Sequence, residues 1–402
     1  MPPMSRSHFL AAAAAGLPAL AAGQAPSIGS RRIERVDVWP VVYPMKGYFK
    51  FFHGGRNQGG RAAVIVRLTA DDGATGWGQS VPIPRWSDET LEGCAIAIRD
   101  YFGPAIVGRD PSDLPGLHAA MDAAIAPGFS TGMPIARAGI DIAVWDMLGR
   151  VAAKPLHALW GRPAPKPLLL SWTVNVKSIK DAAESIEEGA ALGYRHFNIK
   201  VAPDIDFDEK LAREVRRLAP EGFLWADANG GYDDESAMEA VRRLAGAGVD
   251  VLEAPMKPNR IRAYRKITAM KVLPIYMDEG VISLGDLEEF LALEMMNGMA
   301  AKPARCGGIT TCLAQIDLLR AKGLPWLGSG LTDPDLSLAA AIAVYGTSDI
   351  TKPAALNGPQ FLDACVLTEP HVVKDGHLQP TVGPGLGVEV DLEKVRALKV
   401  DL

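Results

Sequence analysis

Cysteine is scarce in this chain of 402 residues: there are four, Cys94, Cys306, Cys312 and Cys365. None forms a C-x-x-C pair, which excludes the usual zinc-binding spacings and leaves buried small hydrophobes as the plain reading. A surplus of positive charge is also missing. Lysine and arginine total 42 against 47 acidic residues, a formal net charge of −5, so no basic face for nucleic acid is expected. No apolar run is long and uninterrupted enough to span a bilayer. No G-x-G-x-x-G follows an early strand, which argues against a dinucleotide fold. Histidine is thin as well: seven in all, and none between His196 and His371.

What is present is ample core, with 48% hydrophobic residues, enough for two or three domains. The first residues differ in kind. "MSRSHFLAAAAAGLPALAAG" runs from a basic residue, Arg6, through an apolar stretch to small residues at Ala19 and Ala21. That is the layout of a secretory signal. "SRSHFL" resembles a twin-arginine export signal with Ser7 in place of the second arginine. Residues 1–30 are therefore expected to be an export signal or tail, and the location periplasmic if the signal acts, cytoplasmic otherwise.

From Arg32 to Thr75 the pattern is β. "RIERVDVWPVVYP" and "RAAVIVRLTADDGATGWG" are apolar-rich runs closed by Asp-Gly and Gly turns. The segment between them, "MKGYFKFFHGGRNQGG", has no regular period and reads as a long loop. Helices are expected over 88–126 and 134–160. After "GRPAPKP" the texture changes to alternating strands and amphipathic helices. Strand ends fall near Trp172, Lys200, Asp227, Glu253, Asp278, Lys302, Ser329 and Asn357, in steps of 24 to 28 residues. This is the βαβ period, and eight such strands predict a (β/α) barrel, with a doubly wound sheet as the alternative.

Five successive strands end in a charge: Lys200, Asp227, Glu253, Asp278 with Glu279, and Lys302. Barrel active sites lie at these C-terminal ends. The plain reading is a ring of ion pairs closing the barrel mouth, although paired charges alone rarely offset the cost of burial. The functional reading is an all-oxygen site for a hard divalent cation such as Mg²⁺, built from three carboxylates. Lys200 lies one strand before the carboxylates and Lys302 one strand after, so barrel closure turns them to face each other across the pocket. A cation holding a substrate carboxylate stabilises an enediolate, while one lysine removes the α-proton and the other delivers a proton.

These motifs resemble the enolase superfamily, in its muconate-lactonising, two-lysine subgroup. The likeness runs through "DGATGWGQSVP", "ARAGIDIAVWDMLGRVAAKPLHALWG", "WADANGGY", "LEAP", "MDEG", "AKPARCGGIT" and "PGLGVEVD", nearly everything after Arg32. It implies a (β/α)7β barrel over 136–370 and an α+β capping domain over 31–135, joined by 371–402. It further implies Mg²⁺ on Asp227, Glu253 and Asp278, with Lys200 and Lys302 as the acid/base pair. Strand alternation sends Asp278 and Glu279 to opposite faces, and the subgroup pattern selects Asp278. The mandelate-racemase branch carries a histidine base on the seventh strand; its absence favours the two-lysine branch.

Two departures stand out. The subgroup's Lys-x-Lys is here Asn198-Ile199-Lys200, so Asn198 is expected to hold a substrate oxygen beside Lys200. His196, deeper on that face, reads as a core residue. The seventh strand ends "LGSGLTDPDLS", where Thr332 and Asp333 are candidate substrate contacts and Asp335 a contact or a helix cap. Specificity is expected from the long loop, with Tyr48, Phe49, Phe51 and Phe52 as walls and His53 or Arg56 meeting a polar group. The substrate is a small carboxylate, and a homo-oligomer is expected. Racemisation or epimerisation, cycloisomerisation, and dehydration of an acid sugar or hydroxy acid share the first step. An exported binder of small acids with a vestigial site is the rival of another class.

Overall fold

Three antiparallel strands open the described chain, β1 (Ile33–Pro44), β2 (Gly60–Ala70) and β3 (Thr75–Ser80), paired in that order. The computed structural model describes residues 29–51 and 60–402. The segment with the layout of an export signal, and Phe52, His53 and Arg56 of the loop, lie outside the described residues. Helices α1 (Leu91–Ile96), α2 (Leu114–Ala124) and α3 (Pro134–Val151) complete this capping layer.

The sequence boundary at 135/136 cuts through the start of α3, and the packing explains why α3 resists assignment. It is buried without interruption from Ile135 to Gly149. One side lies on β3 so closely that a Cβ on Gly78 would come within 2.0 Å of Gly139 O. On the other side, Asp141 accepts from the backbone N–H of Thr310 (3.1 Å), at the start of the barrel helix α9 described below. A helix walled on all sides shows no polar face, and α3 stands at the seam between cap and barrel.

A two-residue strand, β4 (Leu168–Leu169), leads into the barrel. Seven parallel strands follow in sequential order: β5 (Ser171–Val174), β6 (His196–Lys200), β7 (Leu224–Asp227), β8 (Val251–Glu253), β9 (Ile275–Met277), β10 (Gly298–Ala301) and β11 (Trp326–Gly328). Helices α4 (Ile179–Ala191), α5 (Ile205–Leu218), α6 (Asp234–Gly246), α7 (Ile261–Ala269), α8 (Leu284–Ala292), α9 (Ile309–Ala321) and α10 (Asp335–Gly346) alternate with them. The eighth strand, expected near Asn357, is reduced to single parallel bridges from Ala354 to Leu170 and from Ala355 to Ser329. Those bridges join the first strand to the seventh and close the (β/α)7β barrel.

Period-two alternation builds the interior in layers. Trp225, Val251, Tyr276, Ala300, Leu327 and Ala355 form one buried apolar cluster. Each lies two residues before Asp227, Glu253, Asp278, Lys302, Ser329 or Asn357. The polar layer therefore rests directly on an apolar floor. Strands β12 (Val373–Lys374) and β13 (His377–Leu378) pair with β4 in a small outer sheet. Helix α11 (Leu392–Leu398) then brings Lys399 into a bridge with Val41, and Val400 N–H donates to Pro40 O (3.0 Å). Among the described residues no helix is long and apolar enough to cross a membrane.

Candidate active site

Lys200, Asp227 and Glu253 are the last residues of β6, β7 and β8, and the ladder sets them side by side in register. Asp278 and Lys302 follow one residue beyond β9 and β10. Just past three of these ends, Ala202, Asn229 and Ala254 have positive φ. Such backbone strain clusters where surrounding structure over-determines a functional surface.

What pairs Asp227 at the end of its apolar strand is Lys200, whose Nζ donates to Oδ2. Asn229 adds its backbone N–H to Oδ1 (2.9 Å) and its side-chain amide to Oδ2 (3.1 Å). Burial would raise the Asp227 pKa, but Lys200 and Lys302 outweigh it and hold it below the usual carboxylate range. Glu253 is fully buried, with Oε1 3.5 Å from Lys302 Nζ and Oε2 without a hydrogen-bond partner. Its pKa is pushed well up, first by burial and then by Asp227. Lys302 Nζ also donates to Asp278 Oδ2, and Arg305 Nη1 lies 3.4 Å from Asp278 Oδ1. Burial draws Lys302 down, yet Asp278 and Glu253 prevail and raise its pKa.

Glu279 corrects the alternation argument. The chain leaves strand geometry after Met277, so period-two reasoning stops there. Glu279 does not face away: its Oε1 accepts from Asn229 Nδ2 (3.3 Å) and from Trp86 Nε1 (2.9 Å). Four carboxylates thus meet Lys200, Lys302 and Arg305, and Lys50 lies close enough to act on Asp227 and Glu279. The buried Glu253 Oε2, which has no hydrogen-bond partner, and the oxygens of Asp227 and Asp278 make a donor set that fits a hard cation. As the side chains stand, the lysines hold Asp227 and Asp278. Among the described residues no three acidic, histidine or cysteine groups converge on one metal position.

Trp86, unmarked in the sequence reading, roofs the cluster. Its ring centroid lies 5.3 Å from Lys200 Nζ, 4.9 Å from Lys302 Nζ and 5.4 Å from Arg305 Cζ. Phe51 stacks on it at 4.7 Å, and Phe49 lies 5.7 Å from Phe51. The signal available was "PIPRWSDET", a large aromatic between two prolines and a helix cap in no periodic segment. Arg305 stood inside "AKPARCGGIT", three residues after Lys302, the spacing of one turn.

The remaining candidates divide. Tyr48 is at the rim, its ring 4.2 Å from Lys177 Nζ. Asn198 lies in the floor layer, paired in register with Trp225 and almost fully buried, with Nδ2 unpartnered. It therefore underlies Lys200 rather than standing beside the open pocket. His196 is off the site and accepts from Phe223 N–H (2.9 Å). Thr332 and Asp333 are buried in the loop after β11, with Thr332 Oγ1 and Asp333 Oδ1 unpartnered. Asp335 neither caps α10 nor faces the site: it accepts from Val366 N–H (2.7 Å), and burial lifts its pKa to about 6.

The family model of the mandelate racemase/muconate lactonizing enzyme N-terminal domain matches residues 53–161, and the enolase C-terminal domain-like model matches residues 180–395. The chain belongs to the mandelate racemase/muconate lactonizing enzyme family. A chloromuconate cycloisomerase of Cupriavidus necator is 30% identical over 371 residues, covering 90% of this chain and 96% of that one. An N-succinyl-L-Arg/Lys racemase of Bacillus cereus is 25% identical over 374 residues, 92% of this chain and 98% of that one. The crystal structure of a 2-chloromuconate cycloisomerase from Rhodococcus opacus 1CP superposes with a TM-score of 0.85 at 26% identity, over 92% of this chain and 100% of that one. The protein is thus an enolase-superfamily enzyme of the isomerase/lyase kind, in a metal-dependent family.

Proposed function

We propose that this protein racemises or epimerises a small carboxylate at its α-carbon, with Lys200 and Lys302 as the two proton-transfer groups and Mg²⁺ held by Asp227, Glu253 and Asp278. The observation that carries this reading is the placement of two lysines on opposite flanks of one carboxylate cluster, both beneath a single aromatic ring. Cycloisomerisation is the second reading, favoured by the likeness to the chloromuconate cycloisomerases. A bound divalent cation supplies positive charge to the enediolate form of the substrate carboxylate.

The chain's own residues do the rest. Lys200 takes the α-proton from one configuration and Lys302 from the other, and in each direction the lysine that did not take the proton delivers one to the opposite face. With Asp278 and Glu253 committed to a cation, the push that keeps the Lys302 ammonium charged is relieved, and its pKa moves toward working range. Trp86, Phe51 and Phe49 exclude water above the lysines, which strengthens charge interactions below them. Asn229 and Glu279 hold Asp227 and Trp86 in one hydrogen-bonded chain. An acid/base pair of lysines has no task in a protein that only binds small acids.

Incubation with a panel of N-acyl amino acids, hydroxy acids and unsaturated diacids in D₂O, followed by proton NMR, tests the reading. Loss of the α-proton signal of at least one carboxylate, without loss of water or a new ring, is the expected result. Binding with no exchange on any of them would favour the binder. Export through the first segment belongs to the same proposal. N-terminal sequencing of protein from its native host is expected to start after about Ala21, where small residues fit a signal-peptidase site. An intact Met1 terminus would reduce the segment to a tail.

A further inference from the structure

The guanidinium of Arg61, the second residue of β2, has no solvent exposure. It donates to backbone carbonyls of the barrel and of the cap at once. Nε donates to Leu331 O (3.0 Å) and Thr332 O (3.3 Å), in the loop after β11. Nη2 donates to Val81 O (2.7 Å), and Nη1 to Pro82 O (2.8 Å) and Ala62 O. Val81 and Pro82 lead directly into the turn Pro84–Ser87 that carries Trp86.

The barrel side of this contact is strained. Thr332 has φ +56° and is fully buried. A β-branched residue in the left-handed region is a genuine outlier that persists only where neighbours fix it. The loop has little slack: a Cβ on Gly330 would meet Asp333 Oδ2 at 2.3 Å, and one on Gly358 would meet Asp333 O at 2.1 Å. Arg61 holds the carbonyls on both sides of the Leu331–Thr332 junction. Burial draws its pKa down to about 10, with Asp333 pulling the other way.

We propose that Arg61 is a positioning residue, which fixes the strained Thr332 loop of the barrel and the Trp86 turn of the cap at one set separation and so sets the width of the pocket above the two lysines. This rests on the reading of that pocket as the site of proton abstraction. Five donors in a rigid planar fork reach both segments together, which a lysine with three donors on a flexible stem does not match.

Two measurements test it. Native-state hydrogen exchange on the unaltered protein, along a denaturant series, should show the amides of Trp86, Ser87 and Leu331 opening as one cooperative unit. Openings with different denaturant dependence would overturn the proposal, whatever the reaction. In the Arg61→Lys variant the two segments should lose protection together. Its kcat/KM should fall about 10- to 100-fold, chiefly through KM, because misplacement of about an ångström by a residue outside the chemistry costs that order. Its Mg²⁺ affinity by calorimetry should not change, since Arg61 touches none of the metal carboxylates. A variant with a lowered Tm and unchanged kcat and KM would make Arg61 merely structural. Should the unaltered protein exchange no α-proton at all, the functional reading fails while the coupled opening can still stand.

Discussion

Asp227→Asn and Glu253→Gln are each expected to remove Mg²⁺ binding and nearly all activity while leaving the fold intact. A cation at a developing oxyanion stabilises the transition state by several kcal/mol, so a loss on the order of 10³-fold or more is anticipated. The two variants should differ in stability. Asp227 accepts from Lys200 and twice from Asn229, so its amide strands donors that are already placed, at about 1–3 kcal/mol. Glu253 is fully buried with one oxygen unpartnered, and Gln removes a charge rather than a bond. Its folded pKa lies above its ordinary 4.5. In chelator, the metal-free protein should therefore lose stability as pH rises from about 4.5, the folded state being the better proton binder. The Glu253→Gln variant should lack that loss and melt higher at pH 7. Calorimetric titration with Mg²⁺ and thermal melts across pH decide the matter. Full activity in chelator would end the metal assignment.

The second large effect separates the lysines. Lys200→Ala should abolish exchange from one configuration of the substrate, and Lys302→Ala from the other. Both should lose overall turnover, because racemisation needs both faces. General acid–base groups contribute about 10²–10⁴-fold, well within the range of an NMR exchange assay on resolved enantiomers. A cycloisomerase would start from one configuration and depend unequally on the two. If Lys302→Ala left turnover and exchange intact, Lys302 would be only a charge partner of Asp278 and Glu253.

The barrel was readable because its strands are short, apolar and evenly spaced, and because charge falls where each one ends. That rule located Lys200, Asp227 and Glu253 at strand termini and Asp278 and Lys302 one residue beyond. It failed where strand geometry gives out. Past Met277 the alternation no longer holds, and Glu279 joins the cluster from which it was excluded. The eighth strand, expected to end near Asn357, is reduced to the bridges of Ala354 and Ala355, and Asn357 follows them at the level of the polar layer. Asn198 was assigned the right face but the wrong depth: the face has a floor, and Trp225 beside it fills that floor. Trp86 and Arg61 were invisible for a different reason. Their significance lies in contacts made between the cap and the barrel, across more than 190 residues for Trp86 with Glu279 and about 270 for Arg61 with Leu331. No local period records a meeting of that kind. Arg61 opens what reads as an ordinary apolar strand, and Trp86 sits in a proline-flanked turn.

The bridge between Val41 and Lys399 bears on how the molecule assembles during translation. Strand β1 is made before the barrel, but the bridge on its outer edge waits until residues 399 and 400 have left the ribosome. Contacts of such high sequence separation form late and slowly. The barrel strands carrying the lysines and carboxylates emerge well before them. A ribosome stalled before residue 399 therefore holds a barrel and a cap whose first strand still lacks this partner.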